Sequence, residues 1–220
     1  MERKVIAIDG PAGSGKSTVS KLAAKKLGFL YIDTGAMYRA LTLKAMNEGA
    51  DLKDEAGLIA MAKNARIELK TGNNDSVCVL LDGKDVSKEI RTPELTKNIK
   101  YIARVKGVRQ VMVDLQRKVA EEKNAVLEGR DIGTVVFPET PHKFYLDASV
   151  EERVRRRYKE FLEKGINIAE AEIKRDVKTR DETDMTRDAG ALKKAENAVV
   201  IDTTHLSVDE VVDEILKRIK

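Results

Sequence analysis

The sequence predicts an α/β fold in which a parallel sheet carries helices on both faces. Three observations carry this prediction. An apolar run at residues 5–8 ends in Asp9 and a glycine-rich turn, four further apolar runs follow at 29–32, 125–127, 144–146 and 198–201, and helical patterns separate them all. Short apolar runs bounded by turn signals mark strands buried on both sides. Strands that alternate with helices need crossover connections, and crossovers make the sheet parallel.

The elements follow in order. Residues 5–8 form the first strand. From Lys16 to Leu27 the apolar residues Val19, Leu22, Ala23 and Leu27 recur at helical spacing, and Gly28 is a natural C-terminal stop. The second strand is 29–32. A long stretch then separates it from the third, and within it lie Ile67 to Lys70, the turn residues Gly72, Asn73, Asn74 and Asp75, the run Val77 to Leu81, and Asp82-Gly83. That pattern predicts a small antiparallel hairpin unit inserted in the core. The helix before the third strand places Val108, Val111, Met112, Leu115 and Val119 on one face. The last helix opens with a capping box, Ser207 to Glu210, and is expected to bury Val208, Val211, Val212, Ile215 and Ile219.

At 220 residues the chain suits a single α/β domain, 1–220, carrying insertions. The apolar run near the N-terminus is too short for a signal peptide or a membrane span, so a cytoplasmic protein is expected. Cys78, the only cysteine, lies among Val77, Val79, Leu80 and Leu81 and is expected to be a packing residue of a buried strand. Lys and Arg number 41 against 37 Asp and Glu, and the net charge of +4 is too weak a field to demand a nucleic-acid partner. Charged residues make up 35% of the chain and glutamines are confined to Gln110 and Gln116, a bias resembling that of hyperthermophile proteins.

Gly10-Pro11-Ala12-Gly13-Ser14-Gly15-Lys16-Ser17-Thr18 satisfies the G-x-x-x-x-G-K-S/T pattern between a predicted strand and a predicted helix. Glycines let the backbone curl so that its N–H groups face phosphate oxygens, and the helix adds the positive end of its dipole. Lys16 is placed to reach the β- and γ-phosphates, and the Ser17 hydroxyl to take one position on Mg²⁺. A P-loop alone does not separate kinases, switch GTPases and motors. The base-reading N-K-x-D segment of a G-domain is absent, because Asn124 stands in Lys123-Asn124-Ala125-Val126.

Phosphoryl transfer needs positioned charge more than covalent chemistry, and guanidinium groups supply it. Arg39 ends the segment Asp33-Thr34-Gly35-Ala36-Met37-Tyr38-Arg39, which starts at the carboxyl end of the second strand. Arg130 and Asp131 follow the third strand, on the sheet rim where doubly wound folds place ligands. Arg180, Asp184 and Arg187 are spaced to stack on one helical face, although ordinary surface ion pairing explains that spacing equally well. Arg153, Arg155, Arg156 and Arg157 form a basic cluster that a solvated helix face would also produce. His142 and His205 have no acidic or serine partner at an interpretable spacing and are expected at the surface.

Taken together, IDGPAGSGKST, DTGAMYRA, the insert ending in DGKDVSKEIRT, then VLEGRDIGTVVFP and RDETDMTR resemble the bacterial cytidylate kinase family, in order and over nearly the whole chain. The resemblance implies a P-loop NTPase fold with a five-stranded core, a monophosphate-binding insert at about 34–110 and a mobile helical lid at about 150–187. It implies transfer of the γ-phosphoryl of ATP, with Mg²⁺, to CMP or dCMP; a monomer is the default expectation for so small a kinase. It also implies that Arg39 and Arg130 hold the acceptor phosphate and that Thr34, Arg109, Asp131 and Arg187 face the cytosine. Arg180 and Asp184 are then ribose contacts, and Arg153 and Arg157 lid arginines that approach ATP. Lys100 and Lys106 depart from the serine and proline usual in the family; Lys100 cannot accept a hydrogen bond as serine can, which bears on the choice between CMP and dCMP. A P-loop kinase of a non-nucleotide metabolite such as shikimate would leave Asp131 and Arg187 idle. A nucleotide-binding regulator of nucleic acid would not explain arginines on the sheet rim.

Overall fold

The computed structural model describes residues 4–71, 77–121, 123–163 and 165–219. They form two compact units, one of residues 1–31 and 123–220 and the other of residues 32–122. Among the described residues no helix is long and apolar enough to cross a membrane.

The first unit is built on the strand β1 (Val5–Asp9), whose five residues are all buried. Burial on both faces explains why the strand reads as a continuous apolar run rather than an alternating one. The chain then passes through α1 (Lys16–Leu27), β2 (Leu30–Asp33), β6 (Ala125–Gly129), β7 (His142–Asp147), α6 (Val150–Glu163), α7 (Glu170–Thr186), β8 (Val199–Asp202) and α8 (Val208–Leu216). The five-stranded sheet has the order β2-β6-β1-β7-β8, with β1 at its centre. β1 pairs in parallel with β6 and with β7, and the register sets Asp9 opposite Gly129 on one side and Tyr145 on the other. Helices α1 and α8 supply Val19, Ala23, Val211, Val212 and Ile215 to a core shared with Ile6, Ile8, Val126, Phe144 and Leu146. A smaller cluster of Val154, Ile173 and Val177 holds α6 to α7.

α1 begins and ends where expected. Gly28 takes a left-handed φ of 66°, and its amide and that of Phe29 close back on the carbonyls of Lys25 and Ala24. That closure uses the Phe29 amide and delays β2 to Leu30.

The second unit contains α2 (Thr34–Asn47), α3 (Glu55–Asn64), α4 (Pro93–Ala103) and α5 (Lys106–Val119), with a three-stranded antiparallel sheet of β3 (Ile67–Thr71), β4 (Val77–Leu81) and β5 (Lys84–Asp85). Side-chain caps start three of its helices. Asp33 accepts from Ala36 N, Asp54 from Gly57 N and Thr92 from Leu95 N, the last with Pro93 in the first turn. Met37, Leu41, Leu58, Ile90, Leu95, Ile102 and Met112 are among its large, fully buried residues.

Three expectations change. β4 alternates, so Val79 is fully buried while Cys78 is half-buried. Val208, the first residue of α8, is 38% exposed, whereas Ile219, past the helix end, is buried. His142 is half-buried at the start of β7 rather than a surface residue, and burial and the Lys4 charge hold its pKa below the usual imidazole value. The turn Gly72, Asn73, Asn74 and Asp75 lies outside the described residues.

The capping box of α8 is complete: Ser207 Oγ accepts from Glu210 N at 3.3 Å, and Glu210 Oε2 accepts from Ser207 N at 2.8 Å. Ser207→Ala removes one half of it and is expected to destabilise the protein by about 1 kcal/mol. In urea unfolding the midpoint should fall without a change in m-value; an unchanged midpoint would show that the cap carries no stability.

Candidate active site

The loop from Gly10 to Thr18 leaves the carboxyl end of the central strand and enters α1. A Cβ at Gly10 would stand 2.0 Å from the Leu146 carbonyl oxygen, so that position admits glycine alone. Gly13 and Gly15 hold φ values of 82° and 89°, left-handed conformations that side chains disfavour. Lys16 is buried, and its Nζ donates to the Pro11 carbonyl at 2.6 Å and to Ser14 Oγ at 3.4 Å. Burial and the Arg130 charge push the Lys16 pKa down to about 7, against the opposing pull of Glu128, Asp184 and Asp9. Ser17 and Thr18 are exposed in the first turn of α1. A buried lysine folded onto a glycine cradle, with hydroxyls at a helix N-terminus, fits a polyphosphate and its Mg²⁺.

One strand away, β6 ends in Glu128 and Gly129, and Arg130 and Asp131 follow. Arg130 Nε donates to Asp184 Oδ2 at 2.6 Å, and its Nη1 donates to the Gly129 carbonyl at 3.2 Å. Burial opposes the Arg130 charge but is outweighed by Asp184, Glu128 and Asp9, which raise its pKa. Asp184 also accepts from Arg187 Nη1 at 3.3 Å. Burial would raise the Asp184 pKa, but the charges of Arg130, Arg180 and Arg187 hold it below the usual carboxylate value. The expected face of Arg180, Asp184 and Arg187 is therefore an electrostatic group joined to Arg130, although Arg187 lies just past the end of α7 with extended backbone. Asp131 is buried at the head of a five-residue π-helical turn, Ile132–Val136.

The arginine cluster divides by residue. Arg153 is buried; its Nε donates to the Ala148 carbonyl, its Nη1 to the Ala12 carbonyl of the glycine loop at 3.2 Å, and its guanidinium grips Asp181 at 3.0 and 2.8 Å. Arg157 pairs with Glu160 at 3.1 Å and lies over the Phe161 ring. Arg156, a member of the basic cluster to which the family resemblance gave no role, donates to the Thr203 carbonyl at 2.6 Å and to the Gly13 carbonyl at 3.4 Å.

In the second unit Asp33 both caps α2 and holds Arg39, whose Nη2 donates to Asp33 Oδ2 at 3.0 Å. The Arg39 Nε is buried without a hydrogen-bond partner among the described residues, which suits an anionic ligand. A Cβ at Gly35 would come within 3.2 Å of Arg39 Nη1, so the glycine leaves the guanidinium its room. Thr34 is buried beside Asp33, and Arg109 is buried with its guanidinium over the Tyr38 ring at 5.4 Å. Lys100 is exposed with its ammonium 5.1 Å from the Tyr101 ring centre, and Lys106 is exposed at the start of α5.

Sequence reasoning passed over Asp9, Glu128, Asp33 and Asp181. Asp9 and Asp33 had a signal, since each is a carboxylate ending an apolar strand just before a loop or helix. Asp9 is almost fully buried, and its oxygens accept from the amides of Ile132 at 2.9 Å and Gly133 at 2.8 Å. Burial is the largest influence and lifts the Asp9 pKa to about 6; the two amides and Lys16 pull the other way, and Asp131 adds to the rise. Because the folded value lies above the unfolded one, the associated stability is present below about pH 4 and is lost as pH rises through about 6. The stability of the protein relative to Asp9→Asn should therefore fall by up to about 3 kcal/mol between about pH 4 and pH 7 in denaturant titrations. A flat difference would contradict the assignment.

Comparison with known proteins agrees with this geometry. A sequence profile described as "Cytidylate kinase" matches residues 6–220. A cytidylate kinase of Desulforamulus reducens is 52% identical over 98% of this chain and 96% of its own length. One from Clostridioides difficile is 46% identical over 100% of this chain and 99% of its own. The crystal structure of an uncharacterized protein from Eubacterium ventriosum ATCC 27560 shares the fold at a TM-score of 0.54 with 14% identity, covering 99% of this chain and 98% of that one. With a family profile spanning nearly all of its length, a P-loop on the central strand and the Arg130-Asp131 turn on the next strand, this chain belongs to the cytidylate kinase family.

Proposed function

We propose that the protein transfers the γ-phosphoryl group of Mg-ATP to CMP and dCMP, releasing ADP with CDP or dCDP. The observation that carries this reading is the β1–β6 register, which sets Asp9, just ahead of the P-loop, opposite Gly129, just ahead of Arg130 and Asp131. A donor-phosphate cradle and a guanidinium–carboxylate pair thus leave adjacent strands on one rim, as an in-line transfer between two nucleotides needs.

In this reading Gly10 to Thr18 hold the ATP phosphates, and Lys16 follows the transferred group's charge into the transition state. Mg²⁺ bound to the phosphates would neutralise developing charge, and Ser17 is the residue that would take one of its positions. Arg153 serves the donor side by fixing the Ala12 carbonyl of the cradle. Arg157, held by Glu160 at 3.1 Å, is the second lid arginine that approaches ATP. On the acceptor side Arg39 and Arg130 hold the monophosphate. A phosphate at Arg130 competes with Asp184 for the guanidinium and frees that carboxylate, with Arg180, for the ribose hydroxyls. Thr34, Arg109, Asp131 and Arg187 read the base. The insert at about 34–110 carries Thr34, Arg39 and Arg109 of the acceptor set, and the helices at about 150–187 act as the lid of a single kinase domain, 1–220.

Base choice rests on Asp131. Cytosine differs from uracil where an exocyclic amine replaces a carbonyl, and an ionised carboxylate can only accept, so it pairs with the first and repels the second. A site built to hydrogen-bond a substrate group rejects the analogue lacking it, because its own polar atoms are left unpaired. Asp131→Asn can both donate and accept. It should lose kcat/KM for CMP while UMP suffers less, narrowing their ratio at least about tenfold, roughly 1.4 kcal/mol. A preserved ratio would place base reading elsewhere.

A further inference from the structure

We infer that Asp9 is a positioning residue for the acceptor: from the strand that launches the donor loop, its carboxylate fixes the turn that aims Arg130 and Asp131. The inference rests on the acceptor role proposed for that pair.

The first amides of any helical turn have no partner within it and need an outside acceptor. Here the turn is the wide kind, with Phe137 N donating to the Ile132 carbonyl at 2.7 Å and Val136 N to the Asp131 carbonyl at 3.2 Å. Asp131 stands at its N-cap, and aspartate is a residue type that ordinarily caps with its own side chain. Yet its side chain makes no capping bond, and its backbone, at φ −144° and ψ 24°, lies outside the usual capping conformation. The cap comes instead from Asp9, 123 residues earlier in the chain, whose two oxygens each take one amide, Ile132 at 2.9 Å and Gly133 at 2.8 Å. Capping thus comes from the neighbouring strand rather than from the Asp131 side chain.

A Cβ at Gly133 would press on the Lys143 side chain at 3.2 Å and stand in ordinary contact with Asp9 Oδ2 at 3.4 Å. Lys143, buried on β7, donates from Nζ to the Pro138 carbonyl just beyond the turn. The turn is thus held by side chains from both β1 and β7, the first at its head and the second at its tail. A two-oxygen acceptor fixes orientation as well as position, and side chains that leave the held segment inherit that orientation. A buried carboxylate also lies within electrostatic reach of Asp131, an arrangement that stability alone would not favour.

Asp9→Asn keeps the volume but offers one acceptor oxygen, and its amide group meets the second N–H donor to donor. The measurements are kcat and KM for CMP and UMP, with ATP binding by calorimetry. We expect KM for CMP to rise about tenfold and the CMP/UMP ratio of kcat/KM to narrow by a similar factor, with ATP affinity within about twofold of wild type. Gly133→Ala, which presses the same turn against the Lys143 side chain without removing the Asp9 charge, should shift both quantities in the same direction by a smaller factor and decides the matter if Asp9→Asn does not fold. A residue that served only stability would lower the active fraction and leave KM and the ratio untouched, and that result overturns the inference. Loss of ATP affinity equal to the loss for CMP overturns it too, by placing Asp9 on the donor side. If wild-type enzyme shows no preference for CMP over UMP, the acceptor reading itself fails and the inference falls with it.

Discussion

The parallel pairing of β1 with β6 is the constraint on which the rest of the site depends. It sets Asp9 opposite Gly129, so that the residue before the glycine loop and the residue before Arg130 leave the sheet at the same height. Each strand then departs through a tight backbone feature that few sequences permit. On β1 it is Gly10, where a Cβ would meet the Leu146 carbonyl at 2.0 Å; on β6 it is the π-helical turn gripped by the Asp9 carboxylate. Both are close approaches of backbone to a neighbouring strand, and both follow from placing β1 in the middle of the sheet.

Around this frame the first unit gathers charges that a stable core would not ordinarily bury. α7 presents Asp181 and Asp184, three residues apart and so on one side of the helix, to two different arginines. Asp181 takes the bidentate grip of Arg153, which also holds the Ala12 carbonyl; Asp184 takes Arg130 and Arg187. Desolvating such pairs costs several kcal/mol per ion, and removing one partner leaves a buried charge uncompensated. Their retention makes sense where anionic substrates exchange with the carboxylates. One helix is thereby joined to the glycine loop through Arg153 and to the turn after β6 through Arg130.

Much of this was legible in the amino-acid sequence, and the limits have a physical pattern. α1 was found to the residue because its signals are local: apolar spacing, a loop of glycines before it and Gly28 after it. The core strands were found within a residue or two, since buried parallel strands are plain apolar runs. β4 was misjudged because a half-buried strand in a small antiparallel sheet alternates, and its run of apolar residues hid the alternation that leaves Cys78 half-buried. Arg130 and Asp131 could be placed on the rim from strand order alone. What could not be read were partners far apart in sequence, such as Asp9 with Ile132 and Gly133 or Arg153 with Asp181, because nothing local to either residue records them. The same holds within the run of arginines at 153–157, where helix register decides which guanidinium touches the loop.

Family membership and site geometry converge on one activity, and the acceptor is its most exposed point. Initial rates of ADP formation from Mg-ATP, measured across CMP, dCMP, UMP, AMP, GMP and shikimate, test it most directly. With base reading by Asp131 as proposed, CMP and dCMP should lead and UMP fall well behind, its carbonyl opposed by the carboxylate. Shikimate or a purine monophosphate as the best acceptor, or CMP and UMP turned over alike, would contradict it.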